Sequence, residues 1–170
     1  MRDGVRIGVD VGSVRVGVSA CDPAGLMATP VATLTRAPAK GTDIAQVAQE
    51  ATDRGAIEVI VGLPLSLSGE EGTAAQTARA WATELHRRLP DIPVRLVDER
   101  LTTVDAHRAM REAGLHERSS RAMIDQQAAV LILQVALDSE RNSGKPAGVP
   151  VGGRKPRHRS RRATAEGQGG

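Results

Sequence analysis

The sequence has almost no aromatic residues. It contains no Phe and no Tyr, and Trp81 is its only Trp. Proteins that hold single-stranded nucleic acid by stacking use exposed aromatic rings against successive bases. That mode of recognition is therefore excluded here, and any binding of nucleic acid would have to rely on backbone phosphates and metal.

Cysteine is equally scarce, because Cys21 is the only one. An internal disulfide is impossible, which is typical of proteins from a reducing cytosol. We expect Cys21 to be a small thiol within a strand; the alternative is a disulfide to a second copy. The predicted assembly is a monomer or a weak homodimer, and a homodimer could depend on Cys21.

Long apolar runs are absent as well. No stretch of about 18 apolar residues could cross a membrane, and the sequence opens on a strand pattern without a charged and apolar leader. We therefore expect a cytoplasmic protein with no membrane partner.

Charge is distributed unevenly along the 170 residues. Residues 1–140 carry 15 Lys or Arg against 19 Asp or Glu, a net charge of −4, whereas residues 141–170 carry 8 against 1, a net charge of +7. The second part is also rich in Gly and Pro and poor in large apolar residues, so it cannot offset its ordering entropy. We predict one folded domain over residues 1–140 and a basic disordered tail over 141–170.

The order of predicted elements indicates an α/β fold. Val5–Val11 and Val14–Ser19 alternate with period two across a short Gly12-Ser13 link, which predicts a hairpin. A third strand near Met27–Leu34 completes an antiparallel meander. Helices and strands then alternate, with two further strands and a buried last helix. The predicted segments are Asp43–Arg54 (helix), Ile57–Val61 (strand), Ala75–Leu89 (helix), Val94–Asp98 (strand), Thr102–Ala113 (helix) and Ser119–Ser139 (helix).

Acidic residues in three of these elements are candidate metal ligands. Asp10 shares a strand face with Gly8 and Gly12, which leaves room for a metal or a backbone to approach; it could equally cap a turn. If the fold gathers such carboxylates, they form a hard oxygen site suited to divalent metal and phosphodiester chemistry.

The second acidic position is ambiguous from the residues alone. Asp98 and Glu99 are adjacent, so they point to opposite faces if both belong to the strand. Alternation cannot choose between them without knowing which face Asp10 occupies. The alternative is a solvated acidic pair with Arg100 as its ion-pair partner.

Asp125 gives the strongest physical argument. Ala128, Ala129 and Ile132 share its helical face, so the carboxylate lies on a small, apolar stripe. An unpaired charge there costs several kcal/mol, and a cation would compensate for it. The alternatives are an ion pair with Arg121 or a frayed, hydrated helix start.

Four segments carry a family resemblance, in order, over about residues 5 to 139. They are Asp10-Val-Gly-Ser-Val-Arg-Val-Gly17, Gly62-Leu-Pro-Leu-Ser-Leu-Ser-Gly69, Asp98-Glu-Arg-Leu-Thr-Thr103 and Asp125-Gln-Gln-Ala-Ala129. The chain resembles the YqgF/RuvX family of bacterial pre-16S rRNA nucleases, also called RuvC-like resolvases. The resemblance implies a ribonuclease H-like mixed five-stranded sheet, made of the meander plus two further strands, with helices on both faces.

The resemblance also implies the site. Asp10, Glu99 and Asp125 would be catalytic and would hold divalent metal; choosing Glu99 over Asp98 rests on the resemblance. We hypothesise two Mg²⁺ or Mn²⁺ ions, with Asp10 bridging them. The usual first motif, Asp-x-Gly-Thr-Lys-Arg, is altered at Ser13 and Val14. Of the basic segment that the family often has before its last helix, only two residues remain. These are Arg118 and Arg121.

Candidate contacts to nucleic acid follow from the same segments. Arg15 and Arg100 could contact phosphates or form structural ion pairs. The Gly62–Gly72 loop could line a substrate channel with backbone donors or be an ordinary connection, and the Arg-rich tail could hold RNA or only aid solubility. The predicted substrate-binding residues are Gly12, Arg15, Gly62, Pro64 and Arg100.

The predicted function is that of a metal-dependent endonuclease that processes the 5′ end of pre-16S rRNA in ribosome biogenesis. One alternative is a Holliday junction resolvase in DNA recombination and repair. Another is a non-catalytic nucleic-acid-binding factor in ribosome assembly or transcription. An ATP-dependent phosphotransferase of the actin and sugar-kinase type also begins with a strand carrying Asp-x-Gly, but the chain is too short and lacks a second phosphate loop.

Overall fold

The fold was analysed in a computed structural model, which describes residues 1–101 and 118–152 and, for residues 118–122, the backbone only. The predicted helix Thr102–Ala113, the basic side chains of Arg118 and Arg121, and the tail beyond residue 152 lie outside the described part. The described elements run in chain order as β1 (Arg6–Val11), β2 (Arg15–Cys21), β3 (Ala28–Thr35), α1 (Thr42–Asp53), β4 (Glu58–Leu63), α2 (Thr73–Arg88), β5 (Val94–Asp98), a 3₁₀ turn (Glu99–Leu101), α3 (Arg118–Ser143) and β6 (Val149–Pro150).

A single mixed sheet organises these elements, with strand order β3-β2-β1-β4-β5-β6. The β1–β2–β3 meander is antiparallel, and β4 and β5 run parallel to β1. Helices cover both faces. The core beneath α1 and α2 includes Val9, Val61 and Leu96, whereas α3 covers Ile60 and Val97 on the opposite face. The predicted α/β fold is confirmed.

The sheet has six strands in the part of the chain that the structure describes, so the prediction of five was one strand short. β6 pairs antiparallel with β5, and the buried side chain of Val151 follows it. α3 also continues to Ser143, so the boundary predicted at residue 140 falls inside the helix. Composition gave no signal for β6, because backbone pairing with an open sheet edge holds it in place rather than a run of apolar side chains.

Glycines let α3 approach the sheet closely. A Cβ atom built on Gly8 would lie 2.6 Å from Leu133 Cβ, and one built on Gly17 would overlap the backbone carbonyl of Asp125. The Ser19 hydroxyl donates a hydrogen bond to the Ala129 carbonyl at 2.8 Å. The helix backbone therefore rests directly on β1 and β2, which fixes where Asp125 stands above the sheet.

A buried ion-pair network ties the end of α3 to the starts of β1 and β4. Glu140 accepts hydrogen bonds from Arg2 Nη2 at 2.7 Å and from Arg6 Nη2 at 3.1 Å, and Arg2 also contacts Glu58 at 3.1 Å. Arg6 and Glu140 are 1 % and 3 % exposed. Local sequence patterns do not predict this network, because charged residues at strand and helix ends are normally solvated.

The two carboxyl groups of the network have opposite pKa shifts. Hydrogen bonds from Arg2 lower the pKa of Glu140 to about 2. Burial raises the pKa of Glu58 and outweighs its attraction to Arg2 and Arg95. The difference follows from the donors, because Glu140 accepts three hydrogen bonds from Arg2 and a further one from Arg6.

Cys21 is buried, with 7 % of its surface exposed. Its sulfur accepts a hydrogen bond from the backbone N–H of Arg6 at 3.1 Å, and burial raises the pKa of the thiol. A disulfide to a second copy would require β2 to move, so the structure gives no support to a Cys21-dependent homodimer. None of the helices that the structure describes has the length and apolar character needed to cross a bilayer.

Candidate active site

Asp10 lies near the end of β1 on the face covered by α3. Alternation along β1 places it with Gly8, above which α3 packs. Its partner in the β1–β2 ladder is Gly17, the residue that contacts the Asp125 backbone. Asp10 therefore stands beside the point where the last helix meets the hairpin.

Glu99 reaches the same face from the turn after β5. A Cβ atom built on Gly62 would lie 3.0 Å from Glu99 Oε1 and 2.6 Å from Ile132 Cδ1 of α3. The carboxylate of Glu99 thus lies over Gly62, in space left by the missing side chain. Asp10 and Glu99 also interact with other groups of the chain.

Asp98 belongs to the other face. Val94 and Leu96, which alternate with it along β5, pack in the core beneath α1 and α2, whereas Val97 packs against α3. Of the two neighbours, Glu99 is therefore the acidic residue on the face of Asp10.

Asp98 is held by Arg100. Arg100 Nη2 donates to Asp98 Oδ2 at 2.6 Å, and hydrogen bonding to this guanidinium lowers the pKa of Asp98. Arg100 Nη1 also donates to the Leu67 carbonyl at 3.3 Å. Arg100 was considered as a phosphate contact or as a structural ion-pair partner, and the structure shows the ion pair. The same side chain also holds the Gly62–Gly72 loop through the Leu67 carbonyl.

Asp125 is paired with Arg15. Arg15 Nε donates to Asp125 Oδ2 at 2.8 Å, and the side chains are 36 % and 25 % exposed. Arg15 begins β2 and alternates with Gly17, so both face α3. The hairpin therefore supplies a cation to Asp125, a partner that the local sequence pattern did not indicate for this carboxylate.

The hairpin that carries Asp10 and Arg15 is itself anchored. The N–H of Gly12 bonds the Arg15 carbonyl at 2.8 Å, and the Gly12 carbonyl accepts from Arg36 Nη1 at 2.9 Å. Arg36 also lies 3.3 Å from the buried carboxylate of Asp43, which accepts a hydrogen bond from Trp81 Nε1 at 3.0 Å. Sequence reasoning missed Arg36, because its neighbours along the chain carry no motif.

Some backbone groups of the Gly62–Gly72 loop form hydrogen bonds within the loop. The N–H of Ser66 bonds the Glu70 carbonyl, and the N–H of Gly69 bonds the Ser66 carbonyl. These donors are not directed at a substrate. Gly62 is buried beside Glu99, and Pro64 is half-buried just beyond the end of β4.

The candidate donor set fits a divalent metal in its chemistry. Asp10, Glu99 and Asp125 carry the hard carboxylate oxygens that divalent ions prefer, all on the α3 side of the sheet, and Gly62 leaves space beside Glu99. In the described part of the chain, however, no three acidic, His or Cys side chains stand close enough together to hold a metal ion. Within the described residues, Asp125 contacts the guanidinium of Arg15.

Comparison with known proteins identifies the family of the chain. The model of the RuvX family, described as Holliday junction resolvase, matches residues 4–139. A protein of Kineococcus radiotolerans named "Putative pre-16S rRNA nuclease" is 56 % identical over 167 residues, covering 96 % of this chain and 89 % of its own. A protein of Frankia casuarinae with the same name is 54 % identical over 142 residues, covering 84 % and 70 %.

Solved structures show the same fold. Thermus thermophilus RuvC in complex with a Holliday junction substrate superposes with a TM-score of 0.56 at 15 % identity, covering 86 % of this chain and 99 % of that one. The predicted ribonuclease H-like fold is confirmed. The matched family model spans most of the chain, and the chain therefore belongs to the RuvX family of Holliday junction resolvases.

Proposed function

We propose that the protein is a divalent-metal-dependent endonuclease that hydrolyses phosphodiester bonds in precursor 16S rRNA. The observation that carries the proposal is that Asp10, Glu99 and Asp125 all lie on the α3 face at one end of the sheet. Close relatives named as pre-16S rRNA nucleases support the choice of substrate. Such processing takes place where ribosomes assemble, so we infer a cytoplasmic protein.

Each of the three carboxylates would act as a ligand for Mg²⁺ or Mn²⁺. When bound, such ions lower the pKa of an attacking water and stabilise charge on the phosphate and the leaving oxygen. The protein contributes rigid positions for the ligands. Asp10 is set by the β1–β2 ladder, and the close contact of α3 with Gly17 sets Asp125.

Other groups hold the surroundings of the carboxylates in place. Arg36 holds the Gly12 carbonyl at the hairpin that follows Asp10. The Asp98–Arg100 ion pair fixes the turn on which Glu99 stands. These groups act as positioning residues, since they fix the backbone from which the ligands project.

The decisive test compares wild-type protein with Asp10→Asn on precursor 16S rRNA in Mg²⁺ and in Mn²⁺. We expect cleavage to fall by about a hundredfold or more, because a ligand to the metal is lost. Asp91→Asn is the matched control, since Asp91 is exposed before β5 at the opposite end of the sheet. Equal cleavage by wild type and Asp10→Asn would refute the proposal.

The family description favours cleavage of four-way DNA junctions as a second candidate function. The same proteins should be assayed on a four-way junction alongside the precursor rRNA. Symmetric cutting of a junction requires two active sites, so the mass of the protein should be measured with and without DNA. Metal-dependent cutting of the junction alone would favour the resolvase, and binding of RNA without cleavage would favour a non-catalytic assembly factor.

A further inference from the structure

We propose that Arg15 is an internal counter-ion that competes with the divalent metal for Asp125 and, once displaced, binds the substrate phosphate. This inference rests on the metal site of the proposed function. Its starting point is the 2.8 Å contact between Arg15 Nε and Asp125 Oδ2, together with the lack of a formed three-ligand cluster in the part of the chain that the structure describes.

The two partners of this ion pair differ in their freedom to move. Asp125 is fixed, because its backbone carbonyl rests on Gly17 and the next turn of α3 is bonded to Ser19. Arg15 begins β2 beside the hairpin turn and has a long side chain that is 36 % exposed. When a second cation arrives at Asp125, the guanidinium is therefore the group that moves.

Charge supplies the reason for the exchange. A guanidinium and a divalent ion at one carboxylate repel each other, and this repulsion is weakly screened at a partly buried site. The displaced Arg15 still projects from the hairpin on the face of Asp10. Because its planar guanidinium suits phosphate oxygens, metal binding would prepare a phosphate contact beside the metal.

The mechanism predicts effects of opposite sign on two ligands. Removing the charge of Arg15 should tighten metal binding, because a competitor is lost. The same change should weaken binding of RNA only when metal is present, because only then is Arg15 released. A purely structural ion pair would not produce this pattern, and a simple phosphate contact would weaken RNA binding with or without metal.

The first experiment measures Mn²⁺ binding to the full-length protein by calorimetry without nucleic acid. For Arg15→Gln and Arg15→Met we expect the Kd for Mn²⁺ to fall about fivefold, because this is the size of effect expected when a competing, partly exposed ion pair is removed. Arg79→Gln is the matched control and should leave the Kd unchanged, since it breaks the similarly exposed ion pair between Arg79 of α2 and Glu71 just before that helix. In an Asp125→Asn background, Arg15→Gln should have no further effect.

The second experiment measures anisotropy of a labelled, cleavage-resistant RNA oligonucleotide with and without Mn²⁺. With Mn²⁺, Arg15→Gln should weaken RNA binding roughly tenfold, as expected for loss of a charged hydrogen bond; without Mn²⁺ it should change little. Urea unfolding monitored by Trp81 fluorescence verifies that each variant is folded. If Arg15→Gln is not folded, Arg15→Met takes its place in both experiments.

The outcomes separate this inference from the proposed function. If wild-type protein binds Mn²⁺ and Asp10→Asn does not, the metal site stands. An Arg15→Gln protein with unchanged or weaker Mn²⁺ binding would then overturn the role of Arg15 alone. If wild-type protein binds no Mn²⁺, the proposed metal site and the competition at Asp125 are both refuted.

Discussion

The backbone carbonyl of Asp125 rests directly on Gly17, with no side chain between the helix and the strand. Gly17 is also the ladder partner of Asp10. One glycine therefore sets the distance between two of the three candidate metal ligands, and a change in it should affect both the packing of the domain and the geometry of the site.

Gly17→Ala should destabilise the protein by about 2–3 kcal/mol, because the added methyl group meets backbone that cannot rotate away. The free energy of unfolding can be measured in urea from the fluorescence of Trp81, which is buried on the other face of the sheet. Gly72→Ala is the control, since nothing lies within 4 Å of a Cβ atom built there. Equal stability of Gly17→Ala and wild type would contradict the observed contact.

Glu99→Gln and Asp98→Asn should separate the two neighbouring carboxylates. We expect Glu99→Gln to reduce metal-dependent cleavage by about a hundredfold or more, since Glu99 faces Gly62 and α3. Asp98→Asn removes only the ion pair with Arg100 and should cost less than about tenfold. Initial rates on precursor rRNA provide the measurement, and an equal loss in both variants would show that Asp98 also takes part.

Glu140→Gln should change how stability depends on pH. The pKa of Glu140 is lowered from 4.5 to about 2, so its contribution is full above pH 4.5 and is lost as the pH falls toward 2. We expect the variant to be less stable by roughly 3 kcal/mol at pH 7, with the difference shrinking below pH 4.5.

Urea unfolding at pH 7 and at pH 3 measures this difference. Asp138→Asn is the control, because Asp138 lies on the same helix but its ion pair with Arg141 is exposed. A gap between wild type and Glu140→Gln that stays constant from pH 7 to pH 3 would show that the Glu140 charge contributes nothing to stability.

Cys21 should react slowly with a thiol reagent in the native protein and rapidly in urea. The thiol is buried, and burial also raises its pKa, so little thiolate is present to react. The mass in solution should be the same with and without reductant. Rapid native labelling, or a dimer that reductant dissociates, would contradict the observed burial.

Local patterns sufficed to predict the meander, the helices on both faces and the position of Asp125 on an apolar helix face. They could not choose between Asp98 and Glu99, because that choice depends on which face of β5 meets α3. They also could not identify Arg15 as the partner of Asp125, since the two residues meet only through the packing of α3 on β2. Such contacts depend on how distant elements pack against each other, which the local preference of a segment for helix or strand does not determine.

The family resemblance supplied Glu99 before the geometry was known, yet it did not supply the ion pairs. Arg36, Glu58 and Glu140 lie outside the four family segments. β6 was missed for a different reason, because a strand of two residues has no detectable period.

The ion-pair network at the opposite end of the sheet has a consequence for synthesis of the chain. Arg6 is buried at the start of the first strand, and the carboxylate it contacts is Glu140 near the end of the last described helix. A nascent chain that stops before residue 140 would have to bury this guanidinium without that carboxylate, which is strongly unfavourable. Stable folding on the ribosome must therefore wait until nearly the whole domain has emerged from the exit tunnel.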